Sequence, residues 1–398
     1  MQIDIDSLET YNGLARDGAR SAAQSLSQLT GIDATVEVTN VSLMSPSDLK
    51  YEYLGGEFTG VRIDLDGALD GETVLTFDER ARETIADVLA PNGGEAMRRS
   101  SIKEVGNILT SGFVDGWADH LGAVVDISPP TYLEGTGADV LPANLMDADD
   151  QVFVFRSRVE SASGSLEFQI LLVPDRESLV EALDPAADDA IPFEKLEVFN
   201  EMTKTGAEQA ADNITTMTGL ETDLEVNRMR FVPIEEVPPT VGDKRYVGTV
   251  MEYDGEPSGY LVILFDRPSA EAVVDALVPT ETDGGWGGME QSAMKELGNI
   301  MTSGFIDGWA NVLESSIDHS PPTFVSDMGS SILSPIVGRM ARSQEHAFLL
   351  DSVIRTDGDG VFRCELLALP DEAELRAVLD DLLVERADRT HVDPDEVF

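Results

Sequence analysis

The feature that most constrains this chain is a segment that occurs twice. Residues 103–133 and 295–325 are identical at about 19 of 31 aligned positions, which marks an internal duplication rather than a coincidence. The copies lie about 190 residues apart, a period that is too long for a solenoid repeat and that suits two whole domains. The sequence therefore predicts two related domains in tandem, over residues 1–186 and 192–398.

Two stretches interrupt the apolar patterning of the chain. Residues 184–192 are acidic and carry two prolines, and we place the domain boundary there. Residues 279–288 are rich in glycine and acidic side chains, and they are expected to form a loop before the second copy of the repeated segment.

Both repeats follow one order of predicted elements: a helix, strands, a helix, then a second helix, strands and a closing helix. Such alternation predicts an α/β fold of two tandem domains, each with internal pseudo-twofold symmetry and long helices packed on a β-sheet. In the first repeat the predicted helices are 8–29, 79–89, 100–121, a short one near 138–146, and 175–183; the strands are 34–43, 57–65, 71–77, 123–128, 151–160 and 165–173. In the second the helices are 194–218, 268–277, 291–313 and 371–384, and the strands are 221–232, a hairpin at 245–265, 346–355 and 361–369.

Each copy of the repeated segment carries a glutamate and an asparagine three residues apart on its predicted helix, Glu104 with Asn107 and Glu296 with Asn299. Residues at i and i+3 share a helix face, so each pair is presented together. Glutamate and asparagine on a helix are usually just solvated surface residues. Here, however, they stand in a duplicated run of small and apolar residues, which favours a functional role.

The run Lys-Glu-(Val/Leu)-Gly-Asn-Ile, followed by small residues and then Pro-Pro, resembles the CheC family of chemotaxis phosphatases, whose signature helix carries Glu-x-x-Asn. The resemblance spans nearly the whole chain, as two CheC-like units in tandem. It implies hydrolysis of the aspartyl phosphate of a CheY-type response regulator. The catalytic residues carried over are Glu104, Asn107, Glu296 and Asn299.

An aspartyl phosphate is a reactive acyl phosphate, and the regulator that carries it supplies Mg²⁺ and a lysine to neutralise the phosphoryl group. A phosphatase then needs only to place a water in line, and an asparagine amide can orient that water because it both donates and accepts. The glutamate can accept a hydrogen bond from the partner's lysine and fix the register. We therefore expect no cofactor of the chain's own, with Mg²⁺ supplied by the phosphorylated partner.

Members of the family with two active sites per domain carry a second Glu-x-x-Asn on the first helix. Counting back from the Thr-Gly that ends each first helix, the equivalent positions lack that pair, so we expect one working site per domain. They are Gly13 and Arg16 in the first repeat and Glu201 and Lys204 in the second. One turn upstream, about 6 Å along the axis, each repeat has another such pair, Glu9 with Asn12 and Glu197 with Asn200. Whether these pairs act is left open.

Two other functions compete with the phosphatase. CheC-like domains resemble parts of the flagellar switch proteins and, in the family, bind the receptor deamidase CheD, so the chain could be a non-catalytic adaptor for CheY or CheD or a flagellar-switch-like component. It could also be a signalling scaffold unrelated to taxis. Substitution of Asn107 and Asn299 distinguishes the phosphatase from the adaptor: a phosphatase would lose phosphate release while its binding to the partner stays intact.

Acidic residues number 75 against 27 lysines and arginines, which gives a formal net charge of −48. This composition is typical of a halophile's solvated surface. Nucleic acid is disfavoured as a partner, because binding it requires clustered basic residues. The amino terminus lacks the features of a signal peptide, and no window approaches a membrane span, so we expect a cytoplasmic protein without membrane insertion.

The remaining chemically notable residues favour structural roles. Cys364 lies in an apolar run and cannot form an internal disulfide, which indicates a small core residue. The histidines lack metal-ligand spacing, so no metal site is assigned. Trp117 and Trp309 are expected to pack the repeated helices on the sheet. The Pro-Pro pairs at 129–130 and 321–322 are expected to fix an extended exit from a strand.

Overall fold

The chain divides into two compact units, Met1–Ala190 and Ile191–Phe398. The computed structural model describes residues 2–3, 5–53, 56–142, 145, 151–161, 166–182, 191–242, 244–278, 285–313, 316–356 and 362–382. Most of the predicted boundary at 184–192 and of the predicted loop at 279–288 lies outside the described residues.

Unit 1 contains β1 (Gln2–Ile3), α1 (Ile5–Thr30), β2 (Ala34–Met44), α2 (Pro46–Glu52), β3 (Glu57–Gly67), β4 (Gly71–Phe77), α3 (Glu79–Leu89), α4 (Glu95–Leu121), β5 (Val125–Ile127), β6 (Thr131–Thr136), β7 (Val152–Ser161), β8 (Glu167–Pro174) and α5 (Arg176–Ala182). Its strands pair antiparallel in the order β2-β7-β8-β4-β3-β5, and β6 also pairs with β3.

Unit 2 repeats this order with one additional α-helix, α10. Its elements are β9 (Ile191–Pro192), α6 (Phe193–Thr218), β10 (Thr222–Pro233), α7 (Val237–Thr240), β11 (Arg245–Asp254), β12 (Gly259–Asp266), α8 (Arg267–Leu277), α9 (Gly288–Leu313), β13 (Asp318–His319), β14 (Thr323–Met328), α10 (Gly329–Met340), β15 (His346–Thr356), β16 (Arg363–Pro370) and α11 (Glu372–Asp381). Its strands pair antiparallel in the order β10-β15-β16-β12-β11-β13, and β14 also pairs with β11.

Each sheet is covered on both faces because successive side chains of a strand point to opposite sides. In β7 the ring of Phe155 meets Trp117 of α4 edge to face at 5.1 Å. The next residue back, Val154, belongs to a second apolar cluster with Leu49 of α2. The long helices therefore cover one face of the sheet and shorter segments cover the other. The mixed α/β architecture with long helices on a sheet is as the sequence predicts.

Helices α4 and α6 each end at a glycine with a left-handed backbone. Gly122 ends α4 with a φ of +60°, and Gly219 ends α6 with a φ of +74°. Residues with a Cβ rarely adopt these angles, whereas glycine does so without steric cost.

Several elements have no counterpart in the sequence prediction. They are β1, α2, β6, β9, α7, β13, β14 and α10. Helix α10 contains Pro335 and begins at Gly329, two residue types that normally mark loops. The short helix predicted near 138–146 is a 3₁₀ turn at Gly137–Val140 in the structure, and residues 143, 144 and 146 of that range lie outside the described residues.

Candidate functional site

The repeated segment forms helices α4 and α9, and each presents a buried apolar stripe to its own unit. In α4 the stripe includes Val105, Leu109, Phe113 and Trp117, all fully buried. These positions recur at intervals of four, which places them on one side of the helix. The tryptophans are buried as predicted: Trp117 stacks on Tyr11 at 5.0 Å.

A glycine brings each helix against the sheet one residue before the asparagine. A Cβ on Gly106 would overlap the side chain of Val61 in β3, and a Cβ on Gly298 would overlap that of Thr249 in β11. The helix backbone can therefore lie directly on the strand only because these residues have no side chain. The asparagine that follows is turned to the border between the buried and the solvent-facing sides.

The paired residues lie on the accessible side of their helices. Glu104 and Glu296 are exposed, whereas Asn107 and Asn299 are half-buried. None of the four side chains makes a hydrogen bond or ion pair with any residue that the structure describes. Each unit thus offers a carboxylate and an amide, one turn apart, whose hydrogen-bonding capacity is available to a bound molecule.

A serine one turn later contacts the backbone of each asparagine. The Ser111 hydroxyl donates to the Asn107 carbonyl oxygen at 2.8 Å, and the Ser303 hydroxyl donates to the Asn299 carbonyl oxygen at 3.0 Å. This back-bonding ties together the helical turn that carries the asparagine, and such bonds often bend a helix slightly.

The serine before each Pro-Pro pair makes the same backbone hydrogen bond to a strand in both units. The Ser128 amide donates to the Asp64 carbonyl at 2.9 Å, and the Ser320 amide donates to the Glu252 carbonyl at 2.7 Å. The prolines separate β5 from β6 and β13 from β14, so they fix the predicted exit from a strand.

The asparagines of the pairs on the first helices are buried, unlike those on α4 and α9. Asn12 is 1% exposed and Asn200 is 2% exposed. The Asn200 side-chain oxygen accepts a hydrogen bond from the Asn227 amide at 3.1 Å, inside unit 2. A buried asparagine cannot be presented to a macromolecular partner. The question left open for the Glu9/Asn12 and Glu197/Asn200 pairs is therefore answered against a docking role.

Unit 1 has a charged cluster at the start of α4 that unit 2 lacks, and sequence reasoning missed it. In unit 1 the guanidinium groups of Arg82 and Arg99 both donate to the Glu134 carboxylate, at 2.9 and 3.0 Å, and so connect α3, β6 and α4. Arg99 also lies over the Tyr132 ring. The aligned positions in unit 2 are Ala270, Gln291, Ser326 and Phe324. The alignment of the two repeats already contains this difference.

No group of three or more potential ligands that could hold a metal ion occurs among the described residues. Within the same residues, no helix is long and apolar enough to cross a membrane. Cys364 is buried, and burial raises the pKa of its thiol well above the ordinary value. Since the thiolate is the reactive form, this cysteine is inert and structural, as the sequence predicts.

Comparison with known proteins gives one consistent result. The sequence profile of the CheC-like family matches residues 97–134 and 289–326, the two segments that form α4 and α9 and the strands after them. The chain is 33% identical over 189 residues to the CheC1 protein of Halobacterium salinarum, assigned as a CheY-P phosphatase; the match covers 46% of this chain and 97% of that protein.

Two further similarities lie at lower identity. The CheY-P phosphatase CheC of Bacillus subtilis is 22% identical over 190 residues, which cover 46% of this chain and 91% of that protein. The chain is similar to the X-ray crystal structure of Thermotoga maritima FliY, with 21% sequence identity and a TM-score of 0.38. The match covers 46% of this chain and 96% of the FliY chain.

Proposed function

The chain belongs to the CheC-like family, and from this membership and the site geometry we propose that it is a chemotaxis phosphatase acting on a CheY-type response regulator. The proposed reaction is hydrolysis of the regulator's aspartyl phosphate. Each unit contributes one site, Glu104 with Asn107 in unit 1 and Glu296 with Asn299 in unit 2.

The observation that carries this proposal is the duplicated, unpartnered Glu/Asn pair on the accessible face of α4 and α9. A residue that serves the fold alone would pack or pair within its own unit. Among the described residues none of these four side chains makes a hydrogen bond or ion pair, although the helix beneath them is closely packed. Their accessibility suits a reaction in which the substrate is the surface of another protein.

In the proposed mechanism the acyl phosphate and its bound Mg²⁺ belong to the partner. Asn107 or Asn299 orients the attacking water, because its amide can accept one hydrogen of the water and donate to a phosphoryl oxygen. Glu104 or Glu296 accepts a hydrogen bond from the partner's active-site lysine and sets the register of the helix over the phosphate. The contribution of the chain is orientation rather than proton transfer.

An exposed methionine extends the same face of both helices. Met97 is 60% exposed and lies seven residues before Glu104, while Met289 is 55% exposed and lies seven residues before Glu296. Seven residues are about two helical turns, or about 10 Å, so each methionine shares the azimuth of its glutamate. Methionine side chains adapt to varied surfaces. We assign them to the docking contact with the regulator.

The test is the double substitution Asn107→Ala with Asn299→Ala. We expect phosphate release from an acyl-phosphorylated response regulator to fall to the regulator's own rate, whereas the affinity for the regulator changes little. The control is Glu177→Gln in α5 with Asp380→Asn in α11, exposed positions on helices that carry no part of the proposed site, which should leave hydrolysis intact. Unchanged hydrolysis by the asparagine variant would contradict the proposal and favour an adaptor.

A further inference from the structure

The two proposed sites differ at one residue beside the asparagine turn. His319 in β13 pairs with Tyr253 of β11, and the equivalent residue of unit 1, Ile127 in β5, pairs with Leu65 of β3. The flanking serines confirm the equivalence, since the Ser128 hydroxyl accepts from the Asp64 amide and the Ser320 hydroxyl from the Glu252 amide, both at 2.9 Å. Unit 2 therefore has a titratable ring where unit 1 has an aliphatic side chain.

The ring of His319 is linked to the Asn299 backbone through one hydroxyl. Its Nε2 lies 3.2 Å from the Ser303 Oγ, and the same Oγ lies 3.0 Å from the Asn299 carbonyl oxygen. On the other side of the ring, Nδ1 lies 3.2 Å from the Ser320 carbonyl oxygen. In unit 1 the chain of contacts stops at Ser111, because Ile127 offers no nitrogen.

The positions of the hydrogen atoms determine how the contacts between His319, Ser303 and Asn299 respond to protonation of the ring. A carbonyl oxygen only accepts, so the contact with the Ser320 carbonyl requires a hydrogen on Nδ1. In the neutral ring Nε2 is then a bare acceptor, which competes with the Asn299 carbonyl for the single hydrogen of the Ser303 hydroxyl. In the protonated ring Nε2 donates to Ser303, and the hydroxyl hydrogen is directed to the Asn299 carbonyl alone.

The protonated state of unit 2 thus reproduces the bonding that is permanent in unit 1. There the Ser111 hydroxyl always has the Asn107 carbonyl as its acceptor. In the neutral state of unit 2 the turn that carries Asn299 loses part of this bond. The orientation of the half-buried Asn299 amide depends on that turn.

Charged groups from four segments share a cavity of about 550 Å³ with His319: Glu252 and Asp254 of β11, Asp318 of β13, Arg339 of α10, and Asp371, which precedes α11. Tyr253 also lines it, and burial raises the pKa of that phenol well above its usual value. Among these side-chain types, histidine is the one whose charge changes between pH 5 and pH 8. A pH response in that range is therefore assigned to the ring.

We propose that His319 is a positioning residue for the Asn299 site and that its protonation, relayed by Ser303, makes the unit 2 site pH-sensitive whereas the unit 1 site is not. The inference rests on the proposed function for its consequence in catalysis. The linkage between the ring and the asparagine turn is a property of the free protein and can be measured without any partner.

The first experiment follows the backbone and side-chain amide resonances of Asn299 and the ring resonances of His319 by NMR between pH 5 and pH 8, in protein labelled at asparagine and histidine. We expect the Asn299 signals to shift with the midpoint of His319 and the Asn107 signals not to follow. In Ser303→Ala the ring should still titrate while Asn299 no longer responds. The proposal is wrong if the Asn299 chemical shifts do not change with the protonation of His319, or if they change to the same extent in Ser303→Ala.

The second experiment measures phosphate release across the same pH range for Asn107→Ala, which retains the unit 2 site, and Asn299→Ala, which retains the unit 1 site. The ratio of unit 2 to unit 1 activity should fall as pH rises, by about two- to tenfold, the range that corresponds to one neutral hydrogen bond. His319→Gln should flatten the ratio, and Ile127→His in the Asn299→Ala protein should introduce a pH dependence. If the ratio of unit 2 to unit 1 activity is constant across the pH range, the proposed effect of His319 on catalysis is wrong. If no variant hydrolyses the phosphate at any pH, the proposed function is contradicted, and the NMR experiment alone tests the linkage between His319 and the Asn299 turn.

Discussion

Gly206 of α6 lies so close to Phe305 of α9 that a Cβ on residue 206 would come within 2.6 Å of the Phe305 carbonyl oxygen. Unit 1 has the same relationship between Gly18 of α1 and the Phe113 carbonyl oxygen, also at 2.6 Å. Real Cβ atoms do not approach a backbone oxygen this closely, and a rigid helix backbone cannot give way locally. The spacing between each helix that carries a proposed site and its neighbouring helix is therefore fixed by a glycine.

Gly18→Ala should destabilise unit 1 by about 2 kcal/mol or more, because the added methyl group forces two packed helices apart. Gly13→Ala is the matched control, since Gly13 lies on the same helix, is exposed and has no atom within 4 Å of a built Cβ. There the change should stabilise by about 0.5–1 kcal/mol through helix propensity. Urea denaturation of the two variants measures the difference. Equal effects at both positions would contradict the packing argument.

Much of the fold was accessible from the sequence because the apolar periodicity of the buried elements is strong. Strand β4 and helix α3 lie at the predicted residues, and α6 differs from its prediction by one residue. The elements that the sequence did not reveal are the helices that cover the second face of each sheet and several short strands. Their patterns are brief, and in α10 a proline interrupts the helical signal without ending the helix.

For the candidate site, spacing alone placed Glu104 and Asn107 on one face, because three residues along a helix fix the azimuth. The burial of Asn12 and Asn200 was not predictable in this way. It depends on which side of α1 and α6 faces the sheet, and that is decided by packing with distant residues. The contact between His319 and Ser303 likewise joins residues on two elements, which only the folded chain brings together.

The charge of the chain predicts a strong dependence of stability on salt. With a net charge of −48, self-repulsion acts over a Debye length of about 30 Å at 0.01 M salt and only about 3 Å at 1 M. We expect the melting temperature to rise with KCl concentration, most steeply at low ionic strength, where screening changes most. Equal melting temperatures in dilute buffer and in molar KCl would show that this repulsion is not limiting.

Glu365 should make unit 2 less stable as pH rises. Burial is the main cause that raises the pKa of this carboxyl above its ordinary value of 4.5, and the Asp351 carboxylate adds to it, while Arg363 opposes the shift. A raised folded pKa means that the folded state holds the proton more tightly than the unfolded chain does. The associated stability is present below pH 4.5 and is lost as pH rises through the folded value.

Glu365→Gln removes this buried charge and can keep the acceptor for the Tyr246 hydroxyl and the Arg363 guanidinium, which lie at 3.2 and 3.0 Å. The substitution should therefore raise the melting temperature more at pH 8 than at pH 5. The exposed Glu345 of the same unit supplies the control, since Glu345→Gln should have a small effect at both pH values. A Glu365→Gln effect that does not change with pH would contradict the assignment.

The last prediction concerns the division of labour between the two units. Each unit has its own complete Glu/Asn pair, and no side chain of either pair makes a hydrogen bond or ion pair among the described residues. Asn107→Ala should therefore remove roughly half of the hydrolysis and leave the Asn299 site working, and Asn299→Ala should do the converse. Because both asparagines are accessible, each change should cost less than about 0.5 kcal/mol of stability, so an unchanged melting temperature serves as the control. The two halves need not be equal, since the cluster of Arg82, Arg99 and Glu134 occurs only in unit 1. A single substitution that abolished hydrolysis would contradict independent sites, because orientation of water by one amide does not depend on the amide of the other unit.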